Sequence, residues 1–125
     1  MGLRKGEDTM QLVECYRIVT FVPKRDLEAL VNAVCDSGFL DYGHYGDVLW
    51  FSSEGTGQFK PLSGANPAIG SVGQRERVAE NRIEFSILKD EAKLDELLKV
   101  VTTAHPYEEP AIHISNTRET RSAVK

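Results

Sequence analysis

The sequence predicts an α+β domain of ferredoxin-like type, with its elements in the order β-α-β-β-α-β. Three observations lead there. Leu27, Leu30, Val31 and Val34 repeat the spacing of Leu94, Leu97, Leu98 and Val101, and this i, i+3, i+4, i+7 stripe marks an amphipathic helix. Each stripe follows an apolar stretch of strand character, Cys15–Pro23 and Arg77–Leu88. Right-handed crossovers then put both helices on one face of a four-stranded antiparallel sheet.

The elements follow in order. Residues 1–11 are polar and aperiodic and read as a flexible N-terminal tail ahead of one domain over residues 12–115. In Cys15–Pro23, Ile18 and Val22 share one face while Val19 and Phe21 take the other, which suits a strand covered on both sides. Pro23 stops it, and the first helix runs over Lys24–Ser37 with Gly38 as its C-terminal stop. His44–Ser53 is apolar and aromatic and reads as the second strand. In Arg77–Leu88, Ile83, Phe85 and Ile87 alternate with Arg82, Glu84 and Ser86, so one face is buried and one wet. Asp90 is a candidate N-cap for the second helix, which ends before His105-Pro106. Ala111–Ile114 is a short last strand, and residues 116–125 read as a flexible C-terminal tail.

Between the second and third strands lies a long Gly-rich connection, Ser52–Gly73, with five glycines and two prolines. Loops of this length inside a compact domain are more often functional than accidental. Ser52, Ser53, Glu54, Thr56 and Lys60 are the candidate ligand-binding residues here, the backbone N–H groups and Lys60 suiting an anion. The segment lacks the Gly-Lys-Ser/Thr of a Walker loop, and Lys60 stands where a dinucleotide fingerprint needs its third glycine. A packed structural loop at an oligomer interface is the other reading. The second dense motif is His105-Pro106-Tyr107-Glu108-Glu109-Pro110. His44, His105, Tyr107 and Glu108 join the ligand-binding candidates, and His44, His105 and Glu108 are also the candidate ligands for a divalent metal. The glycines of the Gly-rich connection, Gly57 among them, supply either positive φ or a close backbone approach.

Composition narrows the classes. The 125 residues fit one domain, and 41% hydrophobic with 27% charged residues are ordinary for a soluble protein. A net charge of −4 with scattered Lys and Arg gives no nucleic-acid footprint. No apolar run approaches the roughly 20 residues that span a bilayer. Cys15 and Cys35 lack metal-ligand spacing and read as small buried thiols in a reduced cytoplasm.

Gly43-His44-Tyr45, Phe51–Gly57, Phe59-Lys60-Pro61, Gly64-Ala65-Asn66-Pro67, Gly70 and Gly73 resemble the inserted domain of the Nif3-like family, labelled GTP cyclohydrolase I type 2 homologues. Ala104–Ala111 is similar to the end of that insert, and the resemblance spans Tyr16–Ile114. The insert in turn resembles CutA and PII proteins, trimers of ferredoxin-like subunits, and CutA proteins also carry a His-Pro-Tyr-Glu segment. The resemblance implies a CutA/PII-like subunit whose connection between strands two and three is regulatory. In the family the dinuclear metal site belongs to the flanking domain, and flanks of that size are not in this sequence. The expectation is a free-standing, non-catalytic ligand-sensing module, a homotrimer binding an anionic or polar small molecule without a cofactor. A CutA-like divalent-metal protein is the alternative, and an enzyme acting on a phosphorylated small molecule is a third reading.

Overall fold

In the computed structural model, which describes residues 2–5 and 8–122, the sheet is organised on one long strand. After β1 (Gly2–Lys5), β2 runs from Asp8 to Pro23. A single turn of 3-10 helix (Lys24–Asp26) leads into α1 (Leu27–Asp36), and Gly38 takes φ +79° beyond its end, as the stop signal predicts. Then come β3 (Trp50–Phe51), β4 (Gly55–Phe59) and β5 (Glu76–Leu88). The chain ends in α2 (Glu91–Ala104) and β6 (Ile112–Ser122). The Asp90 side chain accepts a hydrogen bond from the Lys93 N–H at 3.1 Å, so the expected N-cap is present.

All strand pairs are antiparallel. β2 lies between β6 and β5, and β5 carries both β3 and β4 on its other edge. This is the ferredoxin-like sheet with its second strand split in two. The core forms where the helix stripes meet the apolar strand positions: Leu27, Leu30 and Val34 of α1 and Leu94, Leu97 and Val101 of α2 pack on Ile18, Val22, Ile83, Phe85 and Ile87. The alternate residues of β5, Glu80, Arg82, Glu84 and Ser86, face away from the helices. On that face Arg17 Nη2 meets Glu84 Oε1 at 2.6 Å and Arg82 Nε meets Glu84 Oε2 at 2.8 Å. The hydrogen bond from Arg17 holds the Glu84 carboxyl below its ordinary pKa.

Three expectations about the strands are corrected. The second strand was expected over His44–Ser53, but only Trp50–Phe51 pairs with β5. Residues 42–45 form a tight turn closed by a Tyr42–Tyr45 bridge, and Asp47 takes φ +57°, so the chain cannot stay extended there. Conversely, Gly55–Phe59, expected as loop, forms β4 against Glu76–Glu80 despite its two glycines.

The third correction concerns the ends. Residues 116–122, expected as tail, continue β6 along β2 as far as the Met10–Ser122 pair. Residues 8–11, also expected as tail, extend β2, and Gly2–Lys5 folds back on Asp8–Gln11. Since β6 occupies one edge of β2 at Met10, β1 pairs on the edge that β5 uses farther along. Residues 1, 6, 7 and 123–125 of the expected tails lie outside the described residues. The strand escapes sequence reading because its anchoring residue is an arginine. Arg121 is 7% exposed, donates from Nη1 to the Asp41 carbonyl at 2.8 Å, and lies 4.1 Å over the Tyr42 ring. Tyr42 in turn donates its hydroxyl to the Thr120 carbonyl. Cys15 is buried as expected, while Cys35 is half-buried; burial raises both thiol pKa values. Among the described residues no helix is long and apolar enough to cross a membrane.

Arg121→Ala is expected to lower unfolding free energy by roughly 1.5–3 kcal/mol, the range for hydrogen bonds to a charged group. Chemical denaturation checks this; a change near zero would return residues 116–122 to the status of a tail.

Candidate functional site

β2 ends at Pro23 but β5 begins at Glu76, so the β4–β5 hairpin projects beyond the body of the sheet. The Gly-rich segment closes over this projection, and the segment after α2 turns back to meet it. Between them, on the face away from the helices, lies an open groove of about 1150 Å³. Its apolar wall includes Phe21, Phe59, Pro61, Leu62, Ile69 and Tyr107, and its polar groups include Lys60, Glu80 and Arg82.

His105 sets the geometry. It is 5% exposed, and both ring nitrogens are in use. Nε2 lies 2.6 Å from the Phe21 carbonyl, which can only accept, and Nδ1 receives the Tyr107 N–H at 3.1 Å, which can only donate. These partners require the neutral ring with its proton on Nε2. Burial accordingly pushes its pKa below the ordinary histidine value, the Phe21 hydrogen bond opposing this in part. The bond to Tyr107 fixes the turn so that its ring stacks near Phe59, centroids 5.7 Å apart, and its hydroxyl reaches Glu80 Oε2 at 2.5 Å. Burial, and then that carboxylate, raise the Tyr107 pKa well above the usual tyrosine value. One residue on, Glu108 Oε1 accepts from the Asn66 N–H at 3.1 Å and ties the turn to the Gly-rich loop.

Gly57 is explained by contact rather than by conformation. It does not take positive φ, but a Cβ there would stand 1.9 Å from Glu80 Oε1. The glycine makes room for the carboxylate, so of the two roles open to it close approach is the one it fills.

The predicted site residues divide. Ser52, Ser53, Glu54, Thr56, Lys60, Tyr107 and Glu108 all line the groove. Ser52 also serves the scaffold, its hydroxyl accepting from the Arg82 N–H at 2.9 Å and its carbonyl from Asn81 Nδ2 at 2.7 Å. Glu54 pairs with Lys24 at 3.6 Å on the surface. His105 supports the groove from behind without lining it. His44 is not brought to the groove. Its turn packs beside Thr120–Ser122, which pair with Met10–Leu12, and Leu12 is nine residues from Phe21 along β2, about 30 Å at strand rise. His44, His105 and Glu108 therefore do not fit a common metal. Among the described residues no group of three or more His, Cys, Asp or Glu side chains could hold one.

Glu80 and Arg82 are functional candidates that sequence reasoning missed, because they read as the wet face of a strand. The groove also differs in charge from the expected anion site. Glu54, Glu80, Glu108 and Glu109 line it against Lys60 and Arg82, and Arg82 is already bound to Glu84.

No family model matches the chain. Among curated proteins it is 46% identical to the GTP cyclohydrolase 1 type 2 homolog of Mycobacterium tuberculosis over 96 residues, 77% of this chain but 24% of that protein. The Staphylococcus aureus protein of the same name is 34% identical over 106 residues, 84% of this chain and 28% of its own length. The chain thus spans about a quarter of the length of the curated relatives it matches. Among solved structures, the Bacillus cereus protein related to NIF3 aligns with TM-score 0.71 and 34% identity over 89% of this chain and 28% of its own. CutA from Synechococcus elongatus aligns with TM-score 0.59 and 16% identity over 87% and 85% of the two chains, which shows a shared fold.

The neutral His105 makes stability depend on pH. The unfolded imidazole takes up a proton near 6.5, whereas the folded one does so only at lower pH. Its contribution is therefore complete above that value and lost as pH falls below it. Between about pH 7.5 and 5.5 the protein is expected to lose up to about 1 kcal/mol more stability than His105→Gln does. Equal losses, measured by denaturant unfolding of both proteins, would show that His105 accepts its proton freely in the fold.

From sequence motifs, segment-wide identity and shared architecture alike, the chain is a relative of one segment of the Nif3-related GTP cyclohydrolase 1 type 2 homologues, a small accessory domain with a CutA-like fold.

Proposed function

We propose that the chain is a non-catalytic module that binds a small molecule in this groove and works as a homo-oligomer, with a trimer favoured. The observation that carries the reading is the construction of the groove. The Gly-rich segment is held over an open sheet face by Glu108 on Asn66 and by Tyr107 against Phe59. A structural loop alone would not leave a concave, largely apolar space with a few polar groups converging on it, which is the character of small-molecule sites. No residue pair in the groove is arranged as nucleophile and base. His105, the natural proton carrier of the motif, is committed on both nitrogens.

Self-association is supported by apolar surface. Trp50 and Phe51 on the edge strand β3 are 53% and 45% exposed, and Ile114 on β6 is 42% exposed. These apolar side chains lie on the two outer edges of the sheet, where copies could meet edge to edge. The proposed setting is the cytoplasm, where Cys15 and Cys35 would stay reduced.

Ala111 is exposed, lines the groove, and stands just before β6, its carbonyl accepting from the Thr20 hydroxyl at 2.9 Å. Ala111→Trp is expected to fill that part of the groove and abolish small-molecule binding while shifting the melting temperature by only a few degrees. Binding is read by NMR shifts of Phe59, Gly57 and Tyr107 on titration with a small-molecule panel. Unchanged binding in the variant would remove the groove as the site. For assembly, size exclusion with light scattering should report a trimer, and a stable monomer at micromolar concentration would reject self-association.

A further inference from the structure

Glu80 is a carboxylate held in place without a counter-ion. It is half-buried, and among the described residues no Lys, Arg or His nitrogen comes within 4 Å of it, although six such contacts to other carboxylates exist. Its one hydrogen bond is from the Tyr107 hydroxyl to Oε2. Oε1 rests over Gly57, where any side chain would displace it. Partial burial of a charge without a partner costs stability, yet a glycine, a tyrosine and a buried histidine all serve to keep this carboxylate where it is.

Around it the groove wall carries the rings of Phe21, Phe59 and Tyr107. Ring faces attract cations as well as apolar bodies. The charged lining is acidic in balance, with Glu54, Glu80, Glu108 and Glu109 against Lys60 and Arg82. An anionic ligand would meet only Lys60 and Arg82 among these carboxylates, and Arg82 is engaged through Nε with Glu84 and lies 6.0 Å over the Phe21 ring.

We propose that Glu80 is the anchor for a positively charged head group, and that the groove takes a protonated amine carried on an aromatic ring system. The ammonium donates to the Glu80 carboxylate, and the ring body lies against Phe21, Phe59 and Tyr107. Tyr107 is a positioning residue in this scheme: its hydroxyl holds Oε2 and leaves Oε1 to the ligand. The inference rests on the groove being a ligand site and adds the charge and chemical class of what it takes.

Two probes of matched shape and opposite charge test it. Tryptamine and indolepropionate share the ring and a short side chain, one ending in an ammonium and the other in a carboxylate. Titrated into the full chain and followed by the amide shifts of Gly57, Phe59 and Tyr107, tryptamine is expected to bind saturably and at least about tenfold more tightly than indolepropionate, the size of one charge-assisted hydrogen bond. Glu80→Gln keeps an acceptor for Tyr107 and removes the charge. It should erase the preference for tryptamine while leaving the melting temperature equal or higher, since an uncompensated charge is gone. Lys60→Ala should leave tryptamine binding within about twofold. If indolepropionate binds and tryptamine does not, the groove is a ligand site but the cation assignment is wrong. Saturable binding of neither probe overturns the assignment of this ligand class, and if Ala111→Trp also fails to alter any panel compound, the groove reading falls with it. A fall in the melting temperature of Glu80→Gln with the tryptamine preference retained would make Glu80 a structural residue and overturn the proposal.

Discussion

One imidazole held between two backbone groups decides where the groove lies. His105 spans from the Phe21 carbonyl, near the end of the central strand, to the N–H of Tyr107, two residues beyond itself. The preceding helix ends there because Pro106 disfavours helical geometry in the residue before it, so the backbone is free to turn. Without the histidine the direction of that turn would be unspecified. With it, Tyr107 is delivered to Phe59 and Glu80, and Glu108 to the loop backbone at Asn66. Two segments that are about forty residues apart in sequence are thereby clamped at a place where the central strand has already stopped. The clamp works with a neutral ring. That requirement explains why His105 is buried and why it is a poor candidate for metal ligation or proton transfer.

The opposite end of the sheet is secured by a different device. Residues 10–14 and 118–122 pair with each other, and the connection after α1 is fastened to that pairing by Tyr42 and Arg121. The guanidinium stacks on a ring and satisfies a carbonyl, so it is buried with partners rather than as a bare charge. The same connection holds the edge strand β3 in register, and its turn carries His44. His44, a ligand-binding candidate from the sequence, therefore belongs to the structural end of the molecule.

Both helices and the core strands were legible because burial imposes a period. Leu27 to Val34 and Leu94 to Val101 repeat the helical spacing, and Ile83, Phe85 and Ile87 alternate as a half-buried strand must. What failed had no such imprint. β6 is solvated along much of its length, so its residues are polar and resemble a tail; only Arg121 is buried, and arginine does not advertise burial. β4 carries Gly57 because Glu80 packs over it, a contact between residues far apart in sequence. Conversely, the apolar run from Tyr45 to Phe51 resembled a strand but leaves Tyr45, Val48, Trp50 and Phe51 substantially exposed. Of the site, the two motifs were legible as motifs, yet their meeting point was not. Glu80 lies in an Arg/Glu alternation that any wet strand face would show.

The charge balance of the groove follows from that hidden position. Read along the chain, Lys60 beside a glycine-rich turn suggests an anion, since backbone N–H groups and a cation favour one. In space, β4 pairs with β5, which commits every second backbone N–H of that stretch to the sheet. Arg82 is likewise engaged by the Glu84 that Arg17 holds in its charged form. Gly57 thus serves close packing rather than anion capture, and the carboxylate it admits stands half-buried on the groove wall with no ionic partner among the described residues. A glycine-rich loop becomes an anion site only where its N–H groups remain unpaired, and pairing is a property of the sheet rather than of the loop sequence.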